Sequence, residues 1–192
     1  MAFEVHPVTP DRVDDFVAVA NPNRRASHCW CLSHRLTAGE ITELGDGSRE
    51  TAFRALCARP NPPGVIGYDG DGTPVGWCSI SPRSENSRLV RSRLITPVDE
   101  VPVWSIICVV VRGGHRKRGY TTPLINGAVE YAAARGAPVV ESYPVDPASG
   151  RIDLTMAFVG TRAMFEHAGF EVAGSTDALA SKLPRLVMRR TL

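Results

Sequence analysis

The run Val103-Trp-Ser-Ile-Ile-Cys-Val-Val-Val111 constrains this chain more than any other segment. It is too short for a buried helix of ordinary length and rich in β-branched residues, so it reads as a central strand covered on both faces. After the loop Arg112 to Tyr120, Leu124, Ile125, Ala128, Val129 and Ala132 recur at helical spacing between Thr121 and Arg135. Pro123 in the first turn and Gly136 past the last fit the two ends of that helix. Ala137 to Tyr143 is the next strand, and a strand, helix, strand succession of this length implies a parallel right-handed crossover. The fold class is therefore α/β with a mixed sheet.

The flanking segments add antiparallel partners. Glu4 to Val8 reads as a strand, and Pro10 to Ala20 as a helix behind Thr9 as N-cap, with Val13, Phe16, Val17 and Ala20 on one side. Ser48 to Ala58 carries Phe53, Leu56 and Cys57 at helical spacing and must stop before Pro60-Asn-Pro-Pro-Gly64. Gly64 to Tyr68 and Val75 to Ile80 flank the turn Asp69-Gly-Asp-Gly-Thr-Pro74, a hairpin signal. Ser81 to Val101 is polar and basic without a period, hence a long loop of the kind that is more often functional than idle. Phe158 to Ala168 is read as a last helix, with Phe170 to Ala173 and Arg185 to Arg189 as strands. At 192 residues the chain is expected to be one domain, residues 1–192.

Charge and cysteine usage narrow the partners. Lys and Arg number 22 against 20 Asp and Glu, a net charge of +2, too small for a broad phosphate-neutralising face. No nucleic-acid partner is expected. No stretch approaches the roughly 18 consecutive apolar residues of a membrane span, and Met1 to His6 lacks an export pattern, so the expectation is a cytoplasmic protein without a membrane partner. Five cysteines are an odd number and read as free thiols. Cys29, Cys31, His28 and His34 lack the spacing of a zinc knuckle, so no metal is expected.

Chemistry concentrates in Val111-Arg-Gly-Gly-His-Arg-Lys-Arg-Gly-Tyr-Thr-Thr-Pro123. Gly113, Gly114 and Gly119 let the backbone turn its amides inward, and the helix start near Thr121 offers unpaired amides and a positive dipole end to an anion. Arg112, His115, Arg116, Lys117 and Arg118 add cations enough for a ligand with several phosphates. The spacing matches neither the nucleotide-hydrolase nor the dinucleotide fingerprint. A solvated basic turn is the alternative.

This segment resembles motif A of the GNAT acetyltransferase superfamily, Q/R-x-x-G-x-G/A, with Arg116, Gly119 and Thr121 at its three defined positions. Thr121 departs from the usual Gly or Ala, though it is still small. Phe165-Glu-His-Ala-Gly-Phe170 is similar to the superfamily's second signature, and Cys29-Trp30-Cys31 is similar to a segment in a poorly characterised bacterial branch. The resemblance implies a central mixed sheet of six or seven strands flanked by helices, with a splayed parallel pair forming an acyl-coenzyme A cleft. It implies acetyl-CoA as co-substrate, with the pyrophosphate on Arg116, Lys117, Arg118, Gly119, Tyr120, Thr121 and Thr122. The pantetheine arm would run along Val109 and Val111, with the thioester where the Val103 and Ala137 strands part.

The activity so implied is transfer of the acetyl group to a primary amine of a small molecule or protein. The alternative is an acyl-CoA-binding module without turnover, because Phe165 stands where many members carry a proton-donating tyrosine. Tyr143 is the candidate donor to the thiolate and Glu141 the candidate acceptor of the amine proton; the competing reading makes them a strand aromatic and an exposed carboxylate. Ser105 could order a water, and Cys108 reads as core. Trp30 either floors the acceptor pocket or packs the first two helices together. Arg83, Arg88, Arg91 and Arg93 either receive an anionic acceptor or are solvated loop charges. A homodimer is compatible with the resemblance.

Overall fold

The computed structural model describes residues 2–25, 28–45, 48–147, 157–180 and 182–192. Its centre is one seven-stranded sheet: β1 (Glu4–Pro7), β2 (Gly64–Tyr68), β3 (Pro74–Pro82), β4 (Val103–Val111), β5 (Val139–Ser142), β6 (Glu171–Ala180) and β7 (Leu183–Thr191). The order across the sheet is β1-β2-β3-β4-β5-β7-β6. Neighbours pair antiparallel except β4 and β5, which are parallel. The apolar run Val103–Val111 is that central strand, buried over its first seven residues.

Two cores lie against the sheet. Helices α5 (Thr121–Ala133) and α6 (Arg162–Glu166) cover one side, where Leu124, Ile125, Ala128 and Phe165 meet Val65, Cys78, Ile80, Trp104 and Ile106. Helices α1 (Val13–Ala20) and α3 (Ser48–Cys57) cover the other, packing Phe16, Val17 and Phe53 against Ile66, Trp77 and Cys108. A third cluster joins Leu89, Ile95, Ile107, Tyr143, Ala178 and Val187 beneath the long loop. Among the described residues no helix is long and apolar enough to cross a membrane.

Several expectations need correction. Thr9 does not cap α1: a 3-10 turn, Pro10–Arg12, intervenes, and the Thr9 hydroxyl accepts from Arg12 Nη1 at 2.9 Å instead. An additional helix, α2 (Ala38–Leu44), opens with a capping box in which Thr37 Oγ1 accepts from the Glu40 amide and Glu40 accepts from the Thr37 amide. The loop expected from Ser81 starts later, since Ser81 and Pro82 belong to β3, and it holds a 3-10 turn, Arg83–Glu85, and a short helix α4 (Ser87–Val90). The helix expected over Phe158 to Ala168 is two pieces, a 3-10 turn Ala157–Val159 and α6. Gly160 divides them at φ +79°, and a Cβ there would lie 2.7 Å from the Phe165 ring. The strands expected at Phe170 to Ala173 and Arg185 to Arg189 are parts of the longer hairpin β6–β7. β6 is largely exposed, so it lacks the apolar alternation that marks a half-buried strand.

Candidate active site

The parallel pairing of β4 and β5 runs only from Val103↔Val139 to Ile106↔Ser142. β4 continues to Val111 with β3 on one side, so among the described residues its other edge carries no strand beyond Ile106. At that point the β3 register skips a residue, Ser79 facing Cys108 and Ile80 facing Ile106. Ile107 is thus the extra residue of a β-bulge, and its main chain is left out of the ladder. The cleft opens where the bulge sits.

At the far end of β4, the glycine-rich loop turns through the left-handed region at Gly114 (φ +81°), Lys117 (φ +62°) and Gly119 (φ +79°). A Cβ at Gly113, Gly114 or Gly119 would meet nothing within 4 Å, so these glycines serve the backbone path and leave the surface open. Tyr120, the N-cap of α5, makes no side-chain cap, which leaves the first amides of a 13-residue helix available. Arg116, Lys117 and Arg118 are exposed around it, and Arg116 Nε donates to the Val111 carbonyl at 3.3 Å. His115 Nδ1 is buried without a partner among the described residues. An open helix N-terminus, an orphaned imidazole nitrogen and three exposed cations fit a polyphosphate such as the coenzyme A pyrophosphate.

Two cavities flank the bulge, and His34 and Ile107 line both. One, about 280 Å³, is bounded by Cys29, Cys31, Cys108, Val110 and Phe158. The other, about 180 Å³, is bounded by Arg88, Ile95, Tyr143, Leu179 and Arg185. Burial, together with the nearby Arg185 and Arg88 charges, pushes the His34 imidazole down to about 4, so it is neutral near pH 7. Trp30 lines neither cavity. Its ring packs on Phe16 and Phe53 at 5.6 and 5.8 Å. Trp30 and Cys31 are both left-handed (φ 49° and 52°), a strained pair. The Trp30 amide donates to His28 Nδ1 at 3.1 Å and Trp77 Nε1 to Cys31 Sγ at 3.0 Å. The Cys31 thiol is held protonated by the adjoining Cys108 thiol and by burial.

Tyr143 and Glu141, both about 1% exposed, belong to a hydrogen-bond network. The Tyr143 hydroxyl donates to Glu141 Oε2 at 2.7 Å, receives Arg83 Nη1 at 2.6 Å and lies 3.1 Å from Ser105 Oγ. Arg189 Nε donates to Glu141 Oε1 at 2.8 Å, and Arg189 Nη2 reaches Asp99 at 3.0 Å. Burial and the Glu141 charge raise the Tyr143 phenol well above its usual range. Glu141 is therefore not the exposed carboxylate of one sequence reading: both oxygens are engaged and it lines neither cavity. Arg83 is likewise no free loop charge, being 3.6 Å from Glu141 and donating to the Ile95 carbonyl at 2.8 Å. Phe165 is fully buried, edge-on to Phe170 at 5.1 Å. Sequence reasoning missed Arg185, Arg189 and the place of His34, which arrive from remote parts of the chain.

Residues 32–151 match the sequence profile of the Acetyltransferase (GNAT) family. The chain belongs to that family. No curated protein matches the GNAT chain by sequence, but solved structures resemble it throughout. It superposes on AAC(6')-Ib in complex with ribostamycin and coenzyme A at a TM-score of 0.59 and 15% identity, covering 100% of this chain and 94% of that one. A PaiA N-acetyltransferase from Thermoplasma acidophilum in complex with coenzyme A gives 0.53 at 12% identity, with 100% of both chains covered. A chain of the NatC complex bound to Gag peptide and coenzyme A gives 0.56 at 11%, covering 100% and 99%. At these identities the likeness is one of fold: the seven-stranded mixed sheet with its parallel β4–β5 pair is the GNAT fold.

Proposed function

We propose that this protein transfers the acetyl group of acetyl-CoA to a primary amine, and that residues 1–192 act as a single acetyltransferase domain. The observation that carries the reading is the edge of β4 from Ile107 to Val111, unpaired by any strand among the described residues, which leads from the bulge and the two cavities to the loop before the uncapped helix start at Tyr120. A pantetheine arm hydrogen-bonded along Val109 and Val111 would extend the sheet as an added strand, with the pyrophosphate at Arg116 to Thr122. The three neighbouring structures named above all hold coenzyme A, one together with ribostamycin and one with Gag peptide, which supports both the co-substrate and an amine acceptor.

In this reading the thioester sits at the bulge, where main-chain amides outside the ladder stabilise the carbonyl oxygen as it gains charge. The amine nitrogen bonds to the acyl carbon, the carbon–sulfur bond breaks, the thiolate takes a proton and the ammonium loses one to solvent. Tyr143 is the proposed proton donor, since its ring borders the cleft and its hydroxyl, protonated near pH 7, would turn its proton from Glu141 Oε2 to the thiolate. Glu141 is a positioning residue that fixes that hydroxyl together with Ser105 and Arg83. Holding amine and thioester together in a sheltered cleft supplies much of the acceleration.

The test is release of free coenzyme A thiol from acetyl-CoA over a panel of primary amines. Amine-dependent release supports the reading. Tight coenzyme A binding with no release from any amine would favour a binding module without turnover, the reading that Phe165 keeps in play.

A further inference from the structure

The cavity beyond the bulge has a charge pattern that bears on the acceptor. Arg88 and Arg185 line it, and among the described residues no carboxylate lines either cavity. Neither arginine forms an ion pair with the described residues. Arg185, 8% exposed, is held among the described residues through Nε, which donates to the Tyr143 carbonyl at 2.7 Å. Arg88 is held through Nη1, which donates to the Ser33 carbonyl at 2.7 Å. Each guanidinium therefore keeps donors free, with its orientation fixed by a backbone carbonyl. Arg88 is exposed, but a buried cation such as Arg185 is ordinarily paired, because desolvating an unpaired charge is costly. The adjoining cavity has the opposite character, walled by thiols, Val110 and Phe158. Both volumes lie below the roughly 300–1,000 Å³ of a drug-sized site.

Resting on the acetyl-transfer reading, we propose that the acceptor is a small amine carrying a carboxylate, of the amino acid class. Its carboxylate is held by Arg88 and Arg185, and its apolar body lies in the cavity beside Val110 and Phe158. His34 and Ile107, common to both walls, then border the carbon that bears the amine. A polycationic acceptor is disfavoured by the same two guanidiniums. An anionic acyl chain on coenzyme A would present the same chemistry, and the test separates the two.

Coenzyme A-loaded protein is titrated by calorimetry with N-acetyl derivatives of the apolar amino acids and with the corresponding N-acetyl amides. At least one acid should bind about tenfold or more tightly than its amide, as loss of a charge-assisted contact implies. Arg88→Gln, an exposed change, should erase most of that preference, and Arg185→Lys part of it, with coenzyme A affinity unchanged. Acids and amides binding alike, or not at all, to protein that still binds coenzyme A would overturn the acceptor class while sparing the acetyl-CoA reading. Failure to bind coenzyme A would overturn both. If Arg88→Gln weakens succinyl-CoA but not acetyl-CoA, and leaves the amino acid derivatives untouched, the anion belongs to the acyl chain and the acceptor assignment is wrong.

Discussion

The Tyr143 hydroxyl donates to Glu141 Oε2 at 2.7 Å, joining two side chains that are two residues apart at the end of β5 and about 1% exposed. Ser105 on β4, Arg189 on β7 and Arg83 from the long loop converge on this pair. The network therefore ties together the elements that must be held apart for a cleft to exist between β4 and the chain after Ser142.

If Tyr143 protonates the departing thiolate, Tyr143→Phe should lower kcat on the order of a hundredfold, with little change in coenzyme A affinity. Steady-state rates with an accepted amine provide the comparison. Turnover within about twofold of wild type would return Tyr143 to a packing role.

Glu141→Gln keeps the shape of the side chain but leaves Arg83 and Arg189 facing a neutral amide. Breaking a buried ion pair from one side costs roughly 3–5 kcal/mol, so the variant should unfold at markedly lower urea concentration. An unchanged midpoint and slope would mean that solvent already compensates the arginines.

His34 gives the fold a pH dependence of definite sign. Its imidazole sits at about 4 in the folded protein against an ordinary 6.5, so the unfolded chain binds the extra proton first. Its contribution is flat above about 6.5, and stability falls as pH drops from there toward 4. Urea midpoints of wild type and His34→Gln should diverge with pH inside that window and run parallel above it. A parallel course throughout would contradict the burial of His34 beside Arg88 and Arg185.

Arg35 is a buried cation stitched to β3 and the loop before β2. It donates to Ser81 Oγ at 2.8 Å, Ser79 Oγ at 3.1 Å and the Pro63 carbonyl at 2.6 Å. Burial lowers its guanidinium to about 10. Arg35→Met fills similar space but leaves these acceptors without their donor, and should destabilise by roughly 2–4 kcal/mol in denaturant titration.

The sequence was most legible where burial imposes a pattern. Val103–Val111 and α5 carry unbroken or helical apolar spacing, and the β2–β3 hairpin carries Asp-Gly turns, so these elements and the loop between β4 and α5 could be read directly. α2 had a signal as well, the Thr37-Ala-Gly-Glu40 capping box, but none of its residues is fully buried and its contact with the core, through half-buried Leu44, is too slight to set a readable apolar pattern. The break before α6 depends on Gly160 meeting Phe165, a tertiary contact. The candidate site divided in the same way: the anion loop is contiguous in sequence, whereas Glu141 and Arg189 are 48 residues apart and Tyr143 and Arg83 are 60 apart. Pairings at that range come from sheet order, which no local spacing encodes.

The central claim, that the loop between β4 and α5 holds the coenzyme A pyrophosphate, is tested most directly by calorimetric titration of coenzyme A into wild type and Gly119→Val. Gly119 sits at φ +79° with open space around its Cβ position, so a β-branched residue there distorts the loop backbone without striking the core. The expected result is saturable binding to wild type, loss of binding in Gly119→Val, and native circular dichroism in both. Equal affinity in the two proteins, or no binding to wild type, would contradict the account.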